Sequence, residues 1–352
     1  MNLPEIRSRI DHLDAQIVGL LHQRMEYALQ AGKHKEIVLD AGREEAILRN
    51  VTSMSSAMVE SGFLRTVFTA LIAESRALQE KRLRLVAFQG EHGAWSETAV
   101  HEFGSAMVAI PCFEFGDVFA GVEKGEFDFG VVPVENSIEG SVNEVNDLLL
   151  ETSLQIAGEV VVPIHHNLLA LPGSDHREIR AVYSHPQALA QCRAFLSRNR
   201  LEPRPFYDTA GAARWLRHEG QKTAGVIASG LAAAIHGLEI VKERIEDHPD
   251  NATRFVLLSR EPAGGTTDKC TVAFTTRNRV GALLDILRIF AEQKINLTRI
   301  ESRPSRKDPG LFGFLLDFTG HTDDPAVAAA LDNVRSLTVR FKILGFYTGA
   351  SR

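Results

Sequence analysis

The sequence predicts a multidomain chain. Residues 1–82 form an all-α segment, residues 83–262 an α/β segment of two lobes, and residues 263–352 a linker with a small α+β unit. Three observations carry this. The first segment repeats apolar residues at steps of three and four. The middle alternates short apolar runs, glycine-bearing turns and helical stretches. The end reads strand, helix, strand, strand, helix, strand.

The totals exclude several classes. At 352 residues the chain can build two or three cores, and 44% hydrophobic with 24% charged residues is ordinary for a globular protein. The net charge is -6, and residues 1–82 balance 11 basic against 11 acidic side chains, so no basic footprint for nucleic acid is present. Cys112, Cys192 and Cys270 are few, odd in number and far apart, in no metal spacing. Together with the lack of a signal-peptide pattern and of an 18-residue apolar run, they point to a reducing, cytoplasmic setting without membrane contact.

In residues 1–82, Ile6, Ile10, Leu13, Ile17, Leu20 and Leu21 draw one stripe along a long first helix that reaches a turn at Asp40-Ala41-Gly42. A second helix is expected over about Arg43 to Met58 and a third over about Gly62 to Arg82. So long a first helix cannot cover its own stripe, which predicts an intertwined homodimer or higher homo-oligomer.

Arg7, Arg24, Lys35, Asp40, Arg43, Glu44, Ser75 and Gln79 lie along these helices in Ile-Arg-x-x-Ile-Asp-x-Leu-Asp, Leu-Leu-x-x-Arg, Ala-Gly-Lys-x-Lys and Glu-Ser-x-x-Leu-Gln. This pattern resembles the all-helical chorismate mutases. The chemistry agrees, because rearranging chorismate needs no nucleophile, only a held conformer and charge near the breaking ether bond. The resemblance implies carboxylate binding by Arg7, Arg24 and Arg43, donation to the ether oxygen by Lys35 and Gln79, and a hydroxyl contact from Glu44. Arg7 and Lys35 are 28 residues apart, roughly 42 Å along one helix, so one small ligand can touch both only if Arg7 comes from another subunit. The connection of residues 36–39 is shorter than the family's.

In the middle segment, Leu85-Val86-Ala87-Phe88 and Phe129-Gly130-Val131-Val132 read as buried strands that open into Gly90-Glu91-His92-Gly93 and Glu135-Asn136-Ser137. Open parallel sheets are expected, with ligand at the strands' carboxyl ends. In Asn251-Ala252-Thr253-Arg254-Phe255, Arg254 can grip a carboxylate with two prongs beside the Thr253 hydroxyl. His165 and His166 are read as structural, since no third ligand or paired carboxylate is evident.

Val132-Pro133-Val134-Glu135-Asn136-Ser137, Tyr183-Ser184-His185-Pro186-Gln187 and the Thr253 motif resemble prephenate dehydratase, a two-lobed, periplasmic-binding-protein-like enzyme. The resemblance implies loss of water and carbon dioxide from prephenate to give phenylpyruvate. Thr253 would be the acid, with Glu135, Asn136, Ser184 and Gln191 around the ring and Arg254 on a carboxylate. No metal and no cofactor is implied. The Gly-Ala-aromatic-Ser-Glu run at 93–97 also occurs in arogenate dehydratases, so arogenate stays open as substrate.

After the linker Pro262 to Thr267, strands are expected over Thr271–Thr276, Leu297–Ser302, Leu311–Phe318 and Val339–Phe346, with helices over Gly281–Gln293 and Pro325–Val334. This is a ferredoxin-like order. Gly281-Ala282-Leu283 and Glu301-Ser302-Arg303-Pro304 resemble the two effector motifs of ACT domains, which implies L-phenylalanine bound between subunits as a feedback inhibitor. As a whole the chain resembles the bifunctional chorismate mutase–prephenate dehydratases of phenylalanine biosynthesis. Two other readings stand beside this one. One is an amino-acid sensor without turnover. The other is a prephenate or arogenate dehydratase whose helical segment serves only for dimerisation.

Overall fold

The computed structural model describes residues 2–35, 37–304 and 310–350, and of residues 4, 5 and 8 the backbone alone. Three helices open the chain: α1 (Leu3–Lys33), α2 (Ala41–Thr52) and α3 (Ser61–Glu80). α1 stops before the expected turn, with Gly32 weakening its last turn, so Lys35 lies in the link and not on α1. Asp40 begins α2 by accepting the Arg43 N–H at 2.9 Å, which pairs an amide that a helix start leaves free. Glu36, in the short connection, lies outside the described residues. Along α1, Ile6, Ile10, Leu13, Ile17 and Leu20 remain 41–64% exposed in the single chain.

Lobe 1 comprises β1 (Arg84–Gln89), α4 (Trp95–Phe103), β2 (Met107–Cys112), α5 (Phe115–Lys124), β3 (Phe129–Asn136), β4 (Gly140–Ser141), α6 (Asn143–Glu151) and β5 (Gln155–Pro163). The chain then crosses at 164–166 into lobe 2. That lobe holds β6 (Asn167–Ala170), β7 (Ala181–Ser184), α7 (Pro186–Gln191), α8 (Arg193–Arg198), β8 (Glu202–Pro205), α9 (Thr209–Glu219), β9 (Ala224–Ala228), α10 (Gly230–His236) and β10 (Glu239–Lys242). β11 (Ala252–Ser259) returns to lobe 1 and inserts between β3 and β5.

The two sheets run β2-β1-β3-β11-β5, with β4 against β3, and β10-β6-β9-β7-β8. Both are mixed where parallel sheets were expected. β11 pairs antiparallel with β3 and β5, and β6 antiparallel with β9, because the chain passes between lobes twice. The carboxyl ends of β1, β2 and β3 still share one edge. The lobes meet closely at Gly93, where an added Cβ would sit 2.6 Å from Cα of Ala232, so only glycine fits.

The C-terminal unit comprises β12 (Lys269–Arg277), α11 (Ala282–Glu292), β13 (Leu297–Pro304), β14 (Leu311–Thr319), α12 (Pro325–Leu337) and β15 (Arg340–Tyr347). Its sheet order β13-β14-β12-β15 leaves β13 on an edge. Its inner face is not free. Ala273, Leu315, Leu344 and Tyr347 share one apolar cluster with Leu29 of α1 and with Leu85, Val132 and Leu258 of lobe 1. The Gly264-Gly265 joint therefore connects two sheets already cemented by a common core. No helix among the described residues is long and apolar enough to cross a membrane. The three cysteines are free, with Cys192 and Cys270 buried and Cys112 half-buried.

Candidate functional site

Helix packing builds the first site. Arg24, Lys35, Asp40, Arg43, Glu44, Ser75 and Gln79 all line one cavity of about 570 Å³ between α1, the 34–40 link, α2 and α3. Arg24 donates to the Ser75 hydroxyl at 2.6 Å and to the Leu71 carbonyl at 3.2 Å. Burial lowers its pKa. A desolvated cation bonded to neutral oxygens suits an anionic ligand. Glu44 stands 3.6 Å from Arg76, and Gln79 turns its amide N–H onto the Ala28 carbonyl. Arg7 does not join them: it is exposed near the start of α1, ~39 Å from that helix's end by helical rise.

Strand pairing builds the second. Thr253 lies opposite Asn136, and Arg254 opposite Glu135, on β11 and β3. Successive strand residues face opposite ways, so these four divide into two pairs on two faces. Asn136 Nδ2 donates to Thr253 Oγ1 at 2.9 Å and to Asn251 Oδ1 at 2.9 Å. Asn251 Nδ2 donates to Gln191 Oε1 at 3.0 Å, and His166 Nε2 reaches that same oxygen at 2.8 Å. Burial lowers the His166 pKa against the raising effect of Gln191, which favours the neutral imidazole. Thr253, Asn136 and Gln191 thus meet at the carboxyl edge of lobe 1.

Three expectations do not come together there. Arg254 points to the other face, where it donates to Glu159 at 2.8 Å and to Asp317 of β14 at 2.7 Å. Burial opposes its charge, but Asp317, Tyr347 and Glu159 outweigh this and raise its pKa. The two-pronged grip read from the sequence is therefore filled by the protein's own carboxylates. Glu135 follows it, 3.5 Å from Arg254 and 3.8 Å from Arg299. Ser184 is fully buried and donates its hydroxyl to the Ile227 carbonyl, inside lobe 2.

The effector motifs also divide by strand alternation. Gly281 adopts φ +82 and opens α11, leaving Ala282 and Leu283 half-buried beside it. On β13, Glu301 and Arg303 face the dehydratase-like segment. Glu301 accepts from Ser141, while Arg303 holds Asp147 at 2.7 Å and Asn143 at 2.8 Å. Ser302 and Pro304 are exposed on the other face of this edge strand.

Sequence reasoning missed the partners that fix these groups. Glu246 sits 2.9 Å from the His165 ring and also accepts the His166 backbone N–H, which is the paired carboxylate that seemed absent. Asn251 was legible in principle, since it stands two residues before Thr253 and same-face neighbours on strands recur at that step. His92 bridges Glu26 of α1 and Glu97 of α4 at 2.9 Å each, and no local pattern announces a contact across 66 residues.

Family models match in the same order: chorismate mutase type II over residues 6–80, prephenate dehydratase over 86–263 and the ACT domain over 271–336. The chain is 34% identical to a bifunctional chorismate mutase/prephenate dehydratase of Pseudomonas aeruginosa, an alignment covering 99% of this chain and 98% of that one. It is 40% identical to arogenate dehydratase/prephenate dehydratase 2 of Arabidopsis thaliana over 74% of this chain and 72% of the relative. The prephenate dehydratase of Arthrobacter aurescens, solved in complex with L-Phe, superposes with TM-score 0.70 at 34% identity, over 75% of this chain and 90% of that one. With both catalytic modules and the regulatory one present in this order and matched end to end, the chain belongs to the bifunctional chorismate mutase/prephenate dehydratases, the phenylalanine-biosynthetic enzymes that rearrange chorismate to prephenate, convert prephenate to phenylpyruvate and carry an ACT domain for feedback by L-phenylalanine.

Proposed function

We propose that the chain carries two separate active sites divided as follows. The observation behind this division is that seven of the mutase candidates, from Arg24 to Gln79, converge on one cavity while Asn136, Gln191, Asn251 and Thr253 converge on the lobe edge. In the first, Arg24 and Arg43 hold the carboxylates of chorismate, Lys35 and Gln79 face the ether oxygen, and Glu44 takes the hydroxyl. Asp40 and Ser75 fix the frame: one caps α2, the other binds Arg24. Arg7 of a second copy completes the cavity, with the exposed α1 stripes as the dimer contact. Stabilisation of one conformer and of developing charge suffices for the rearrangement.

In the second site the Thr253 hydroxyl protonates the departing hydroxyl of prephenate. The bond to the ring carboxylate breaks, its electrons complete the aromatic ring, and carbon dioxide and water leave. The Thr253 oxygen keeps the Asn136 N–H as charge develops on it, and a solvent proton restores the hydroxyl. Arg254 stays off the departing carboxylate, which favours turnover because a tightly held ground state would raise the barrier. L-Phenylalanine binds at Gly281-Ala282-Leu283 beside Ser302 and Pro304 of a neighbouring copy, and Glu301 carries its effect to Ser141 of β4 and Arg303 into α6. The domain limits are those of the sequence: 1–82, 83–262 and 263–352. Prephenate is the second substrate, with arogenate as the competitor to be tested.

The test is to supply purified chain with chorismate, prephenate or arogenate separately, with and without L-phenylalanine, and to follow phenylpyruvate and phenylalanine. Phenylpyruvate from both chorismate and prephenate, suppressed by L-phenylalanine, supports the assignment. Turnover of prephenate but not chorismate reduces the helical segment to a dimerisation element, and no turnover at all leaves a sensor.

A further inference from the structure

The Thr253 hydroxyl is a very weak acid, so its usefulness depends on where its hydrogen points. The hydrogen bonds around it settle that direction. Asn136 Oδ1 accepts the backbone N–H groups of Ile138 at 3.0 Å and Glu139 at 2.9 Å. Backbone N–H groups only donate, so the other end of the Asn136 amide must be its nitrogen. That nitrogen donates to Thr253 Oγ1, which therefore accepts, and the hydroxyl hydrogen is left for a ligand.

The same logic runs on into lobe 2. Asn136 Nδ2 also donates to Asn251 Oδ1, which orients the buried Asn251 amide and aims its nitrogen at Gln191 Oε1. Gln191 cannot flip, because its nitrogen donates to the Glu139 carboxylate at 3.3 Å. Its oxygen is thus an acceptor, and the His166 Nε2 that meets it must carry the hydrogen. His166 in turn cannot swing away. It is 3% exposed, its backbone N–H is held by Glu246 at 2.9 Å, and its ring meets Trp95 edge-on. Donor and acceptor match at every bond from His166 to Thr253: Gln191 Oε1 accepts from both His166 and Asn251, Asn136 Nδ2 donates to both Asn251 and Thr253, and the Asn251–Gln191 link spans the two lobes.

We propose that His166 is a positioning residue for the dehydration: by donating from Nε2 to Gln191 it locks the Gln191–Asn251–Asn136 relay that presents the Thr253 hydroxyl hydrogen to the substrate. This rests on Thr253 being the acid. It does not require His166 to touch substrate or to move a proton. Removing it takes away the shortest of the three bonds on the Gln191 amide and leaves Gln191 to Asn251 and the 3.3 Å contact with Glu139, so Gln191 and Asn251 can shift and the hydroxyl then samples directions away from the leaving group.

The test compares His166→Phe, which keeps a planar ring but no donor, with His166→Gln, whose amide N–H takes the place of Nε2–H. Misplacing a reacting group costs on the order of a hundredfold, so His166→Phe should lower the dehydration kcat by about ten- to a hundredfold with prephenate KM changed by less than about threefold. His166→Gln should restore most of the loss. Chorismate mutase activity of the same chains, unchanged, reports that they fold. If His166→Phe is insoluble, Asn251→Asp replaces it: it still accepts from Asn136 but cannot donate to Gln191, and it should show the same kcat loss. Equal loss in His166→Phe and His166→Gln, or no loss in His166→Phe or Asn251→Asp, overturns the relay. Thr253→Val separates this from its premise. Retained dehydration there removes Thr253 as the acid, whereas abolished dehydration with a fully active His166→Phe removes only the relay.

Discussion

Arg254 donates to Asp317 at 2.7 Å, so the residue next to Thr253, the proposed dehydration acid, is bound directly to the regulatory sheet. Asp317 is 1% exposed and also accepts from Thr271 at 2.9 Å, while Glu159 holds Arg254 and Lys269 together at 2.8 Å. The strand that carries Thr253 therefore cannot shift without disturbing the ACT domain, and the reverse holds equally. This cluster gives the effect of phenylalanine a physical route that the Gly264-Gly265 joint alone would not.

Asp317→Asn tests that route. Arg254 keeps Glu159 at 2.8 Å, so the loss should stay below the roughly 3–5 kcal/mol of a fully uncompensated buried charge, and the variant should melt below the parent. Among molecules that stay folded, inhibition by L-phenylalanine should weaken more than basal dehydration does. A variant with unchanged inhibition would show that the effect travels elsewhere, for instance through Arg303 and Asp147.

The His92 junction makes the contact between α1 and lobe 1 depend on pH. Burial alone would lower the His92 pKa, but hydrogen bonds to Glu26 and Glu97 push it up to about 10. A folded pKa above the unfolded one, roughly 6.5 for histidine, stabilises fully below that lower value. The contribution then declines as pH rises and vanishes above about 10. Hence the gap in melting temperature between the parent and His92→Leu should be widest near pH 6 and close towards pH 10. A gap that stays constant over this range would mean that His92 contributes packing and not charge.

The helical site should be rebuilt by mixing inactive subunits. Arg7→Ala and Lys35→Ala chains each lack one group that the proposed site uses. A mixed dimer has one cavity with both groups and one with neither. Recovery of up to about a quarter of parental mutase activity is expected from statistical mixing with half of the chains being mixed dimers. No recovery, once subunit exchange has been confirmed by tagged chains, would place Arg7 outside the site.

Effector binding should be reciprocal. If L-phenylalanine weakens prephenate binding by some factor, saturating prephenate must weaken L-phenylalanine binding by that same factor. Titration calorimetry on Thr253→Ala can measure both halves without turnover. Replacing Gly281 by valine should abolish the heat of L-phenylalanine binding, because its φ of +82 strains any β-branched residue. Undiminished heat in that variant would move the effector site elsewhere.

Much of this was legible in the sequence because it is periodic or local. The α1 stripe gave the long helix, and the strands and helices of the C-terminal unit fall within a few residues of where alternation put them. The grouping of the mutase candidates was legible, since seven of the eight line one cavity. What failed was orientation. Thr253 and Arg254 are adjacent in sequence and were read as one site, yet a strand sends them to opposite faces. Long-range partners were invisible for a different reason. Asp317 reaches Arg254 across 63 residues and Glu26 reaches His92 across 66, and a lone carboxylate in a strand or helix carries no mark of the cation it will meet.

The most direct measurement supplies the Thr253→Ala chain with chorismate and follows prephenate and phenylpyruvate together. Two independent sites require prephenate to accumulate at close to the parental mutase rate while phenylpyruvate formation falls by at least about a hundredfold. Loss of both activities in a folded chain, or continued formation of phenylpyruvate, would contradict a separate dehydration site built on Thr253.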